Sequence, residues 1–117
     1  MTFLPQRSGA QRSPRVSLPE VTPAVVRIEN GWRVNGKLQV ISLTGGLLSL
    51  SKPLNHGSEV KLMFVTEAGT VLGAAEMLRP LPSGSQPFKF TMLLEDDRRR
   101  LQNAIQLSQN PNRYGSH

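Results

Sequence analysis

Between Val21 and Met92 the chain is broken repeatedly by turn-forming groups: Asn30-Gly31, Asn35-Gly36, Gly45-Gly46, Asn55-His56-Gly57 and Glu67-Ala68-Gly69. The apolar runs between them are too short for packed helices, and they follow the period of two that a half-buried strand requires. Val60-Lys61-Leu62-Met63-Phe64-Val65 shows it best, with Val60, Leu62 and Phe64 on one face. Val25 to Ile28, Lys37 to Ser42, Leu47 to Ser51, Val71 to Leu78 and Phe88 to Met92 complete six short strands. An antiparallel sheet of this size removes its exposed edges by closing on itself, so the expected fold is an all-β, small six-stranded antiparallel barrel.

Two details of the strand map bear on later geometry. Asn35-Gly36 is the stronger hairpin signal, because Asn and Gly suit the positive φ angles of a type I′ turn, while Asn30-Gly31 reads either as a turn or as a bulge within one long strand. Pro80 to Pro87 reads as a loop ahead of the last strand.

The end of the chain changes period. Glu95-Asp96-Asp97 places acids where they oppose the positive end of a helix dipole, and Leu101, Ala104 and Ile105 follow at helical spacing. One C-terminal helix is expected, ending near Ser108 because Asn110-Pro111-Asn112 interrupts the pattern. Arg98, Arg99 and Arg100 fan out over roughly 200° of such a helix and read as mostly solvated. The expected organisation is a flexible basic arm over residues 1–20, a barrel with its helix over 21–108, and a disordered tail over 109–117.

Charge and composition narrow the function. The net charge is +6, and residues 1–19 hold Arg7, Arg12 and Arg15 with no acid, so half of the excess sits on the arm. Such an arm calls for an anion: a phosphate-bearing ligand, a nucleic acid or an anionic membrane surface. With no cysteine, and with His56 and His117 as the only imidazoles, disulfides are excluded and a metal centre is not expected. The absence of cysteine fits a reducing cytoplasm. No apolar run reaches the length of a signal-peptide core or a membrane span, so a soluble protein is expected. Nothing forms a nucleophile, base and orienter set, and no enzyme activity is expected.

The candidate ligand residues lie in two places. Gln11-Arg12-Ser13-Pro14-Arg15 precedes the first strand, and its guanidinium forks match phosphate oxygens or a guanine edge. The second place is the corner Ser42-Leu43-Thr44-Gly45, where a serine and glycines could cradle a phosphate or simply make a bend.

In order and spacing these stretches, followed by Lys52-Pro53-Leu54, Gly57 and a short acidic-capped helix, resemble a PilZ domain across roughly residues 11–107. The resemblance implies a six-stranded barrel that binds the bacterial messenger cyclic di-GMP through Arg-x-x-x-Arg on the arm and Asp/Asn-x-Ser-x-x-Gly at the corner. Arg15 matches the second arginine, Ser42 and Gly45 match the corner motif, and Arg12 falls at a position often basic in the family. The implied ligand set is therefore Arg12, Arg15, Ser42 and Gly45, with cyclic di-GMP as a ligand and no cofactor.

Two positions depart from the family pattern. Gln11 stands where the first arginine belongs and brings no charge, and Val40 occupies the Asp/Asn place without a polar atom. Losing a charge-assisted contact forfeits about 1.5–3 kcal/mol, and a donor left without its acceptor costs about 1–3 kcal/mol. Two functions follow from the resemblance: a cyclic di-GMP receptor or adaptor that signals to a partner protein, and a degenerate PilZ-like interaction module that no longer binds nucleotide. A nucleic-acid-binding barrel ranks third, since it needs stacking aromatics and only Trp32, expected as a partly buried strand residue, lies near the basic groups.

Overall fold

The computed structural model describes residues 15–109, without the side chains of residues 18–21. Six strands and one helix follow one another: β1 (Val16–Ile28), β2 (Arg33–Ile41), β3 (Gly45–Leu50), β4 (Glu59–Thr66), β5 (Gly69–Met77), β6 (Ser85–Leu93) and α1 (Glu95–Gln109). The strands close into an antiparallel barrel in the order β1-β2-β3-β6-β5-β4, with β4 pairing back onto β1. The expected all-β barrel with one C-terminal helix is therefore the observed fold.

Strand alternation builds the core. Val60, Leu62 and Phe64 all point inward, joined by Val26, Leu38, Leu48, Val71, Met77 and Phe88. The period slips once in β2, where Leu38 pairs with Leu48 but Val40 pairs with Leu47, leaving Gln39 as an extra residue. A bulge turns the following side chains over. Here it puts Ile41 in the core and Val40 at the half-buried outer face.

The first hairpin differs from expectation. Its turn is Asn30-Gly31: Gly31 has φ +92°, its N–H donates to Ile28 O at 2.9 Å, and Asn30 Oδ1 accepts from Trp32 N at 3.0 Å. Asn35-Gly36 lies inside β2, with Gly36 opposite both Ala24 and Leu50. A Cβ on Gly36 would meet Leu50 Cδ2 at 2.6 Å and Ser49 O at 2.7 Å, so this glycine allows strands to approach closely and makes no turn. Trp32 stands at the hairpin end and is 69% exposed, where a partly buried strand residue was expected.

β6 also starts earlier than the expected loop allows, at Ser85. Gln86 explains why. It is buried, its Oε1 accepts from Leu54 N at 2.9 Å, and its Nε2 donates to Leu54 O at 2.7 Å and Leu78 O at 2.8 Å. One amide thereby ties the segment after β3 and the segment after β5 to the last strand.

The helix buries Leu101 and Ile105 against the barrel, chiefly along β5. β5 pairs with β6 only from Gly73 onward, so its first residues have β4 on one side and no strand on the other. Helix side chains take that open edge: Asp97 Oδ1 accepts from Leu72 N at 2.9 Å and Arg100 Nε donates to Thr70 O at 2.8 Å. Asp97 is thus a buried docking group, while Glu95 and Asp96 stay exposed and reach Arg99 at 3.8 and 3.6 Å.

Candidate functional site

Ser42, Leu43 and Thr44 separate β2 from β3, and a Ser42–Gly45 hydrogen bond closes the corner around Leu43-Thr44. Ser42 N donates to Gly45 O at 2.7 Å, and no non-glycine residue among those described has a positive φ. Such a loop lacks the mirror-image turn that matches strand twist, so it needs a local support. Ser42 supplies it. Its Oγ accepts from Thr44 N and Gly45 N, each at 3.2 Å, and its single hydrogen goes to Gly45 O at 3.2 Å or to Thr44 Oγ1 at 3.1 Å. A hydroxyl has one donor and two acceptor sites, so local bonds use the full capacity of Ser42, which is 4% exposed.

The corner glycines answer to packing. A Cβ on Gly45 would lie 2.2 Å from Phe88 O, and one on Gly46 would lie 2.2 Å from Val40 O. Both belong to β3 itself, one step past the bend. Their small size lets β2, β3 and β6 pack closely where the barrel turns.

Arg15 comes to this corner through strand register. Val16 pairs with Ile41 and Ser17 with Val40, so the residue before Val16 lies across from Ser42. Gly45 in turn pairs with Lys89, and Lys89 with Glu76. Gly45 and Lys89 are thus paired on neighbouring strands about 4.8 Å apart, and Arg15 and Ser42 each lie one residue beyond the Val16–Ile41 pair. Both cations are exposed, and Lys89 reaches Glu76 at 3.5 Å. Val16, Ile41 and Phe88 are buried, as are Ser42 and Gly45 of the corner, whereas Arg15 and Lys89 are exposed and Val40 is half-buried.

Of the four candidate residues, Ser42 and Gly45 are hydrogen-bonded to each other at the corner, and Arg15 directly precedes the residue that pairs with Ile41. Arg12, like Gln11, lies outside the described residues. Sequence reasoning missed Lys89 and Thr44. The signal was available only in part: Lys89 alternates correctly with Phe88 and Phe90, but its position opposite Gly45 depends on β6 crossing next to β3. Among the described residues no group of His, Asp or Glu could hold a metal ion, and no helix is long and apolar enough to cross a membrane.

A model of the PilZ domain family matches residues 7–107. Among solved structures, the chain is similar to the PilZ domain with c-di-GMP of YcgR from Escherichia coli, with 19% identity and a TM-score of 0.69 over 91% of this chain and 96% of that one. It is similar to the PilZ domain of CeSA from a cellulose synthesizing bacterium, with 19% identity and a TM-score of 0.62 over 81% and 98%. The K. pneumonia MrkH–c-di-GMP complex matches with 20% identity and a TM-score of 0.69 over 92% of this chain and 55% of that one, so the chain spans about half of MrkH. At such identities the likeness to these structures is one of fold. No curated protein sequence matches the chain.

Proposed function

The chain belongs to the PilZ domain family, and from that membership we propose that it is a cyclic di-GMP receptor that passes the messenger's signal to a partner protein. The reading is supported by one observation, the pairing of Val16 with Ile41, which lie next to Arg15 and Ser42 in the chain. Arg12 and Arg15 would close over the phosphates from the arm side, with the Ser42–Gly45 corner facing them across the ligand. Lys89 adds a cation opposite Gly45. Capture of the ligand between arm and barrel would then present a new surface. The role involves no catalytic step and belongs in the cytoplasm.

The same corner supports a second reading, a PilZ-type interaction module without nucleotide. Ser42 has no hydrogen-bonding capacity left for a ligand unless it gives up one of its local bonds, and Val40 is half-buried with no polar side-chain atom. Gln11 removes a charge from the arm. Calorimetric titration of the full chain with cyclic di-GMP distinguishes the two. Heat that disappears in Arg15→Ala supports the receptor, and no heat at millimolar nucleotide leaves the interaction module.

A further inference from the structure

A second surface lies on the outside of β1, β4 and β5, away from the nucleotide corner. Val25 pairs with Met63 and Met63 with Leu72, so three apolar side chains stand abreast on the outer face. Met92 of β6 and Leu94, just before α1, join them in a groove of about 440 Å³. Single exposed apolar residues are ordinary on a protein surface, but a contiguous set is not. Of the seven large exposed apolar residues among those described, Met63, Leu72, Met92 and Leu94 line this one groove.

The rim is basic. Arg27 pairs with Arg33 on one side and with Lys61 on the other, so three cations occupy neighbouring strands. Like charges directly opposite one another are destabilising. None of the three has an ion-pair partner among the described residues. The one carboxylate in the groove, Asp97, is already held by Leu72 N and Arg100.

We propose that this groove docks an acidic amphipathic segment of a partner protein, its apolar face over Met63, Leu72 and Met92 and its carboxylates against Arg27, Arg33 and Lys61. A concave apolar floor flanked by charge suits a helix laid lengthwise, and a floor rich in methionine adapts to the side chains it meets. Charge complementarity argues against the other occupants. Residues 1–14 hold Arg7 and Arg12 and no acid, and residues 110–117 hold Arg113 and no acid. A second copy presenting the same face would bring three more cations. The proposal specifies the partner chemistry of the signalling role above, and it stands whether or not the corner binds nucleotide.

The test is a selection of random 16-residue peptides displayed on phage against the full chain, with counter-selection on the Met63→Glu/Leu72→Glu variant. The enriched peptides should carry Leu, Phe or Met at i, i+3 or i+4 and i+7, flanked by several Asp or Glu. A synthetic peptide from that set should bind at least tenfold more weakly to Arg33→Glu/Lys61→Glu, and should shift the amide resonances of Val25, Met63 and Leu72. Calorimetry with cyclic di-GMP on the same variants, unchanged from the parent chain, separates this result from the fate of the nucleotide corner. The proposal is overturned by no enrichment, by neutral or basic winners, or by winners that bind the variants equally well. It is also overturned if phosphatidylglycerol vesicles bind and the same substitutions abolish that binding, or if the chain forms a dimer that Leu72→Glu dissolves.

Discussion

Asp97 Oδ1 accepts the backbone N–H of Leu72 at 2.9 Å, across 25 positions of sequence, and receives Arg100 Nη2 at 3.2 Å on the same oxygen. One carboxylate therefore satisfies the part of β5 that β6 does not reach and also orients the arginine that holds Thr70 O. Leaving a buried donor unpaired costs about 1–3 kcal/mol. Asp97→Ala should lower stability to urea by that amount, while Asp97→Asn, which keeps an acceptor, should lose less. Equal losses in the two variants would mean that the charge and not the hydrogen bond anchors the helix.

Gln86 makes a sharper case because its three bonds reach two separate segments. Gln86→Leu keeps the volume roughly constant but strands Leu54 N, Leu54 O and Leu78 O. We expect a destabilisation of about 2–4 kcal/mol in urea unfolding. Gln86→Glu, which keeps the acceptor for Leu54 N but loses both donors, should also be destabilising.

Gly45→Ala discriminates between packing and ligand binding as the reason for this glycine. The added methyl would meet Phe88 O and the Lys89 backbone, and overpacking of this kind costs about 1–3 kcal/mol. The thermal midpoint should fall with no nucleotide present. An unchanged midpoint would return the glycine to a purely ligand-based role.

Val40→Asp restores an acceptor on the outer face, two residues from Ser42. If the receptor reading holds, cyclic di-GMP affinity should rise about tenfold, the equivalent of one hydrogen bond of roughly 1.4 kcal/mol. Arg15→Ala in the Val40→Asp background should remove the gain. Titration calorimetry measures both.

Much of the fold is legible in the amino-acid order, and particular residues say why. Val60, Leu62 and Phe64 alternate cleanly because β4 has one wet face and one dry face, so local pattern and global burial agree. The helix is equally legible from Leu101 and Ile105. Asn35-Gly36 misleads because a glycine inside a strand and a glycine in a turn look alike until the neighbour that would touch its Cβ, here Leu50, is known. The Ser42 corner is legible as a motif. Its internal saturation is not, since the number of free lone pairs on a hydroxyl depends on where the loop folds back.

The order of residues along the chain was enough to determine six strands, a terminal helix and a basic stretch ahead of β1, because periodicity and charge are local properties. Only the tertiary structure decided that Val16 pairs with Ile41 and Gly45 with Lys89, and that Asp97 closes an edge. It also gathered Met63, Leu72 and Met92 beside Arg27 and Lys61. Those relations come from the closing of β4 onto β1 and the insertion of β6 beside β3, where residues distant in sequence are brought within one strand spacing.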